Sequence, residues 1–218
     1  MEIKGAIFDL DGTLLDSMWV WNQVDIDFLG KRGFDVPPDY PKAIAAMGFH
    51  ETAEYTIKRF DLKEKVKDVI AEWDRMAAQM YHERVQIKPY VREVLEWMKQ
   101  QGIHLGVATA SYRTLFEPCL RRNGVFEYFE AVTETSEVER GKGFPDIYIK
   151  ACEMLNENPE ECIALEDSKN GLLSAYRAGC KPIMVPDLWQ PDEEILQIIK
   201  GKYSDLEQVK KAFESGEI

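Results

Sequence analysis

Asp9-Leu10-Asp11-Gly12-Thr13 follows directly on the apolar run Ile3–Phe8, and this junction decides the reading of the chain. A short strand running into two carboxylates two residues apart aims one acid out of the strand end. The glycine permits a tight turn that bends the chain back over the acids. Two neighbouring carboxylates repel each other unless a cation or a proton compensates them. A plain polar exit from strand to loop is the competing reading of these five residues. Other strand ends with matching chemistry would decide between the two.

The 218 residues allow one large domain or a domain with a small insert, and 45% hydrophobic residues suffice for a sizeable core. No segment is apolar for long enough to span a bilayer. The N-terminus shows no basic region followed by an apolar stretch, so a cytoplasmic protein is expected. Cys119, Cys152, Cys162 and Cys180 have no C-x-x-C spacing and read as core thiols of a reducing compartment. A formal net charge of −12 argues against nucleic acid or an anionic membrane as partner. If the substrate is an anion, the attraction has to be local, from a divalent cation, placed lysines or backbone N–H groups. A monomer or weak homo-oligomer acting on a small molecule is the expectation.

Five short β-like runs recur: Ile3–Phe8, Ile103–Ala108, Tyr128–Val132, Cys162–Leu165 and Pro182–Val185. The last four alternate with helical patterns, as in βαβ units with a parallel sheet. Val91, Val94, Leu95 and Met98 mark one helix before Gly102; Ile147, Ile149, Ala151 and Met154 mark another after Pro145-Asp146. Leu172–Ala178 ends at Gly179, a good helix-ending residue. From about Asp16 to Arg84 no strand signal occurs. Val66, Val69, Ile70, Trp73, Met76, Ala77 and Met80 form an apolar stripe at spacings of three and four. Met18–Leu29 reads as a helix closed by Gly30 and Gly33, and Pro37-Pro38 and Pro41 break the chain before Ala43–Met47. The fold expected is α/β: a Rossmann-like core over 1–15 and 88–218, with an all-helical insert over 16–87.

In an open parallel sheet, ligands bind beyond the carboxyl ends of the strands. Asp9 and Asp11 follow the first run. Thr109-Ala110-Ser111 follow the second, a hydroxyl and free N–H groups of the kind that hold phosphate oxygens. Lys142 stands between Gly141 and Gly143 after the third, and Glu166-Asp167-Ser168 follow the fourth. Each alone has a bland reading: a β-former, a solvated lysine, an N-cap. Together they form a hard-cation site of carboxylate oxygens, an amide and hydroxyl cradle, and one ammonium.

The ordered set Asp9-Leu10-Asp11-Gly12-Thr13, Val107-Ala108-Thr109-Ala110-Ser111, Gly141-Lys142-Gly143-Phe144-Pro145-Asp146 and Leu165-Glu166-Asp167-Ser168-Lys169-Asn170-Gly171 resembles the haloacid dehalogenase superfamily, in its phosphatase and phosphomutase branch. The resemblance covers essentially the whole chain. It implies strand order 3-2-1-4-5, Mg²⁺ as cofactor and a helical cap domain as the insert. It makes Asp9 the nucleophile that becomes an aspartyl phosphate and Asp11 the general acid and base. Thr109, Ala110 and Ser111 would hold phosphate oxygens, with Lys142 neutralising Asp9 and the phosphoryl group. Asp9, Glu166, Asp167 and the Asp11 carbonyl would bind the metal.

The resemblance also sorts the functions. β-Phosphoglucomutases carry a His where this sequence has Trp21, so a sugar-phosphate mutase is the alternative to a phosphomonoesterase acting on a sugar or polyol phosphate. Phosphonoacetaldehyde hydrolases carry a cap Lys that Met47-Gly48-Phe49-His50-Glu51 lacks. A receiver-like phospho-acceptor is a remote alternative, because it has neither a second acid at the Asp11 position nor a helical insert. Substrate choice is expected in the insert. Met47, Gly48, Phe49 and His50 are read as a loop facing the substrate, with Trp19 or Trp21 as a wall; His50 as a solvated helix-start residue and Phe49 as insert core are the bland readings.

Overall fold

Gly5–Phe8 forms β1, and all four of its residues are buried. A strand with no polar face has to be covered on both sides, which places it inside a parallel sheet. In this computed structural model, which describes residues 3–44 and 47–218, β1 lies between β2 (His104–Thr109) and β4 (Cys162–Glu166). With β3 (Ala131–Glu134), β5 (Lys181–Met184) and the two-residue β6 (Gly201–Lys202), the order is β3-β2-β1-β4-β5-β6, parallel throughout. The fold is the expected α/β Rossmann-like one, extended by one edge strand. Strand order reverses at β1, so the crevice beyond its carboxyl end opens between β2 and β4.

Some strand limits differ from the sequence reading. Lys4 N–H already bonds the Glu161 carbonyl at 2.8 Å, but regular pairing begins only at Gly5. Tyr128 belongs to a 3-10 turn, Phe126–Tyr128, rather than to the third strand. Its aromatic character suggested β structure. Here its hydroxyl donates to Glu96 Oε1 at 2.7 Å, and the neighbouring Phe129 packs edge-on against Phe8.

The chain divides into two units, Met18–Arg84 and the remainder, Met1–Ser17 with Val85–Ile218. The first consists of α1 (Val20–Gly30), α2 (Tyr40–Ile44), α3 (Phe49–Arg59) and α4 (Val66–Glu83). Of the α4 stripe, Val69, Trp73, Met76, Ala77 and Met80 are buried, while Val66 and Ile70 are only half-buried. The Trp73 ring meets Phe28 and Phe49 edge-to-face at 5.4 and 5.6 Å. Arg32, just past α1, lies over Phe28 of that helix and bonds Glu64, before α4, and Glu72, on α4, each at 2.7 Å. Pro41 sits in the first turn of α2 rather than breaking the chain before Ala43, since a missing N–H costs nothing there. Gly30 is the last residue of α1 rather than its stop. Ala45 and Ala46 lie outside the described residues.

In the larger unit, α7 (Asp146–Leu155) and α8 (Lys169–Ala178) cover one face of the sheet. Ile7, Ala108, Cys162 and Ala164 point into that layer with Ile147, Tyr148 and Ala151. Strand side chains alternate, so Asp9 and Glu166 extend the same face, two residues beyond Ile7 and Ala164. The register Phe8↔Val107 and Phe8↔Leu165 brings Asp9, Thr109 and Glu166 to one end of the sheet. The unit is completed by α5 (Val91–Gln100), α6 (Arg113–Arg122), α9 (Glu193–Ile198) and α10 (Leu206–Glu214). All four cysteines are free and buried. No helix among the described residues is long and apolar enough to cross a membrane.

Candidate functional site

Asp9 leaves β1 with its N–H still bonded to the Leu165 carbonyl of β4, at 3.0 Å. This last ladder bond fixes its backbone, while Gly12 at φ +92° turns the chain back. Asp167 packs against that turn. Asp9, Glu166 and Asp167 are buried, and one carboxylate oxygen from each lies within 4.8 Å of the others.

Lys142 enters from the loop before α7. Its ammonium bonds Asp9 Oδ1 and lies 2.6 Å from Glu166 Oε1. Glu166 is further fixed by the Tyr148 hydroxyl on Oε1 at 2.7 Å and the Ser168 hydroxyl on Oε2 at 3.0 Å. Its carboxylate lies where a Cβ on Gly171 would stand, 1.9 Å from Glu166 Cδ, so α8 can approach only with glycine at that position. The Lys142 loop is held from the same helix: Ser174 Oγ donates to the Phe144 carbonyl and Arg177 to the Gly143 carbonyl.

Asp11 has a different environment. It is only partly buried, and it accepts from Ser17 Oγ on Oδ1, at 2.7 Å, and from Ser111 Oγ on Oδ2. Ser111, expected on the phosphate, therefore spends its hydroxyl on Asp11, while its N–H donates to Thr109 Oγ1 at 3.0 Å. Thr109 is fully buried and Ala110 is exposed at the end of β2.

The charges do not balance. The three clustered carboxylates share one bonded ammonium, that of Lys142, and burial holds the Asp9 pKa well above its usual range, with Lys142 opposing and Glu166, Asp11 and Asp167 adding to the rise. Asp167 is pushed up to about 7, by burial first and Glu166 second. The field of the acids outweighs burial at Lys142 and raises its pKa. Hard oxygen donors, close together and short of positive charge, suit a small divalent cation.

The sequence reading named Asp9, Asp11, Lys142, Glu166 and Asp167, and Ser168 as a strand-end residue and N-cap, but missed the other residues that hold them, Ser17, Tyr148, Ser174 and Arg177. Met47, Gly48, Phe49 and His50 belong to the other unit. There Phe49 opens α3 and meets Trp21 at 5.2 Å. His50 is an exposed first-turn residue 3.6 Å from Glu54, which matches its reading as a solvated helix start, and Phe49–Glu51 is helix rather than the expected loop. Gly48 as N-cap lets the helix start one residue after it. Trp19 lies under the Arg84 guanidinium.

A model of the haloacid dehalogenase-like hydrolases matches residues 6–185. The chain belongs to that family. Among its relatives in the family, hexitol phosphatase B of Escherichia coli K12 is 29% identical over 191 residues, which cover 85% of this chain and 84% of that protein. The solved structure of CbbY from Rhodobacter sphaeroides, in complex with phosphate, is 26% identical with a TM-score of 0.74, covering 95% and 96% of the two chains. The beta-phosphoglucomutase of Clostridium difficile shares the fold at 19% identity, with a TM-score of 0.74 over 99% and 96%.

Proposed function

We propose that this haloacid dehalogenase-like hydrolase is a divalent-metal-dependent phosphomonoesterase that works through a phosphorylated Asp9 on a small sugar or polyol phosphate. The observation that carries the reading is the pairing of two differently held acids. Asp9 is buried against Lys142 and two further carboxylates, while Asp11 stands outside that cluster on two hydroxyl donors. One environment suits a nucleophile beside a cation; the other leaves a second carboxylate, two residues along the turn and outside the cluster, at hand for proton transfer.

In the first step an Asp9 oxygen forms a bond to phosphorus as the bond to the leaving oxygen breaks, and the Asp11 proton passes to that oxygen. In the second, Asp11 takes a proton from water, the water oxygen bonds phosphorus, and the bond to Asp9 breaks, releasing inorganic phosphate and restoring both acids. Lys142 holds the nucleophile in place and offsets charge that develops on the phosphoryl oxygens. Thr109 and the Ala110 N–H are the donors at the end of β2 for those oxygens. Asp9, Glu166 and Asp167, with the Asp11 carbonyl, are the ligands we assign to Mg²⁺. Bound there, the ion screens the repulsion between an anionic nucleophile and an anionic substrate.

The relative named as a hexitol phosphatase supports a polyol as the organic part. The four free thiols suit a reducing compartment, and we place the protein in the cytoplasm. Phosphate release should be measured with Mg²⁺ over hexitol, hexose, pentose, nucleotide and glycolate monophosphates. The reading expects turnover that is highest on a polyol or sugar phosphate, with stoichiometric free phosphate. Isomerised ester with little free phosphate would replace it with the mutase.

A further inference from the structure

One further cation reaches the turn that carries the two acids. Lys88, which follows the segment returning from the helical unit, donates from Nζ to the Gly12 carbonyl at 2.5 Å and to Asp187 Oδ1 at 2.9 Å. Its backbone N–H donates to the Leu14 carbonyl at 2.8 Å. A single residue thus grips both ends of Gly12–Leu14, immediately after Asp9 and Asp11. The lysine and aspartate side chains are 19% and 23% exposed, so the ammonium has given up most of its water, which costs energy that only good partners offset. Asp187 alone would satisfy an ordinary ion pair. The bond to the Gly12 carbonyl fixes the Gly12–Thr13 peptide, one residue beyond Asp11. Asp167 packs on that same glycine, and both Lys88 and Asp187 act electrostatically on Asp167.

We propose that Lys88 is a positioning residue for phosphoryl transfer: its hold on the Gly12 carbonyl keeps the Asp9–Asp11 turn in the alignment in which one acid faces phosphorus and the other the leaving oxygen. The proposal rests on the phosphatase reading. In-line displacement tolerates little error, since a shift of about 1 Å costs on the order of a hundredfold in rate. The sequence gives this lysine no motif, and it stands outside the four stretches that carry the family resemblance.

Three variants test it, K88M, K88R and D187N, assayed on an aryl phosphate with saturating Mg²⁺, together with hydrogen exchange of the metal-free proteins. K88M should lower kcat by about tenfold to a hundredfold with KM within about threefold of wild type. Exchange should speed up at the amides of Thr13, Leu14 and Leu15, which bond the Leu10 carbonyl, and not elsewhere in the sheet. K88R, which still presents donors to the carbonyl, should recover a good part of the loss. D187N leaves the Gly12 contact in place and should keep kcat within about threefold. If K88M fails to fold, D187N and K88R still decide: a D187N loss of tenfold or more makes the ion pair the operative contact and overturns the proposal. K88M with wild-type kcat and unchanged exchange at Thr13–Leu15 also overturns it. A wild-type protein inactive on every ester sinks the phosphatase reading instead, and the exchange measurement still stands on its own.

Discussion

Asp167 lies so close over the Gly12 backbone that a Cβ added at Gly12 would stand 2.3 Å from Asp167 Oδ2. The turn that presents Asp9 and the strand end that presents Asp167 can share one cluster only while that position has no side chain. Gly12 also sits at φ +92°, where an L-residue is strained.

Gly12→Ala should therefore act twice. Backbone strain should lower stability by about 1–3 kcal/mol, read by urea unfolding. Displacement of Asp167 should cut Mg²⁺ affinity, read by calorimetry, by about tenfold. Unchanged metal affinity in a folded variant would mean that Asp167 is not part of the metal site.

Metal removal has a signed pH dependence. Burial raises the Asp9 and Asp167 carboxyls above the 3.8 of the unfolded chain, Asp167 to about 7, so at intermediate pH the folded protein binds more protons than the unfolded chain. Carboxyls raised on folding contribute stability that is full below the unfolded value and is lost as pH rises through the folded one. The melting temperature of the EDTA-treated protein should fall between about pH 4 and pH 7. Added Mg²⁺ should raise it little at pH 5 and clearly at pH 8, because the ion competes with those protons. A Mg²⁺ effect of equal size at both pH values would contradict the assignment.

Asp25 offers a second electrostatic test, within the helical unit. It is half-buried on α1, and burial alone pushes its carboxyl up to about 6. At pH 7.5 the folded state holds an ion that the unfolded chain solvates better. Asp25→Asn should then stabilise the protein by about 1 kcal/mol, partial exposure having screened the rest. The gain should shrink below pH 6 and vanish near 3.8, the unfolded value. Chemical denaturation across that range checks it; a gain that persists at pH 4 would point to packing instead.

Much of the fold was legible because periodicity and strand-end chemistry are local. The α4 stripe and the acids after β1 and β4 announce themselves within a few residues. β6 spans two residues, too few for any alternation to show. Asp192 and Asp205 precede α9 and α10 and cap the Ile195 and Gln208 N–H groups, a local signal that the sequence reading left unused, together with the apolar stripe Leu206, Val209 and Ala212 of α10. The supporting residues were invisible for another reason. Tyr148 looks like one more member of an apolar helix face, and Ser17 like an ordinary loop serine. Each acquires its role only when the fold delivers it to Glu166 or Asp11.

The most direct test of the central claim is to stop the cycle between its two steps. Asp11→Asn removes the acid and base but leaves Asp9, Lys142 and the acidic cluster in place. An aryl phosphate needs little protonation of its leaving group, so the first step should survive better than the second. Rapid quenching, proteolysis and mass spectrometry should then find one phosphoryl group on the peptide containing Asp9, and none when Asp9→Asn is added. Rapid multiple turnover by Asp11→Asn, or phosphate on any other residue, would contradict the account.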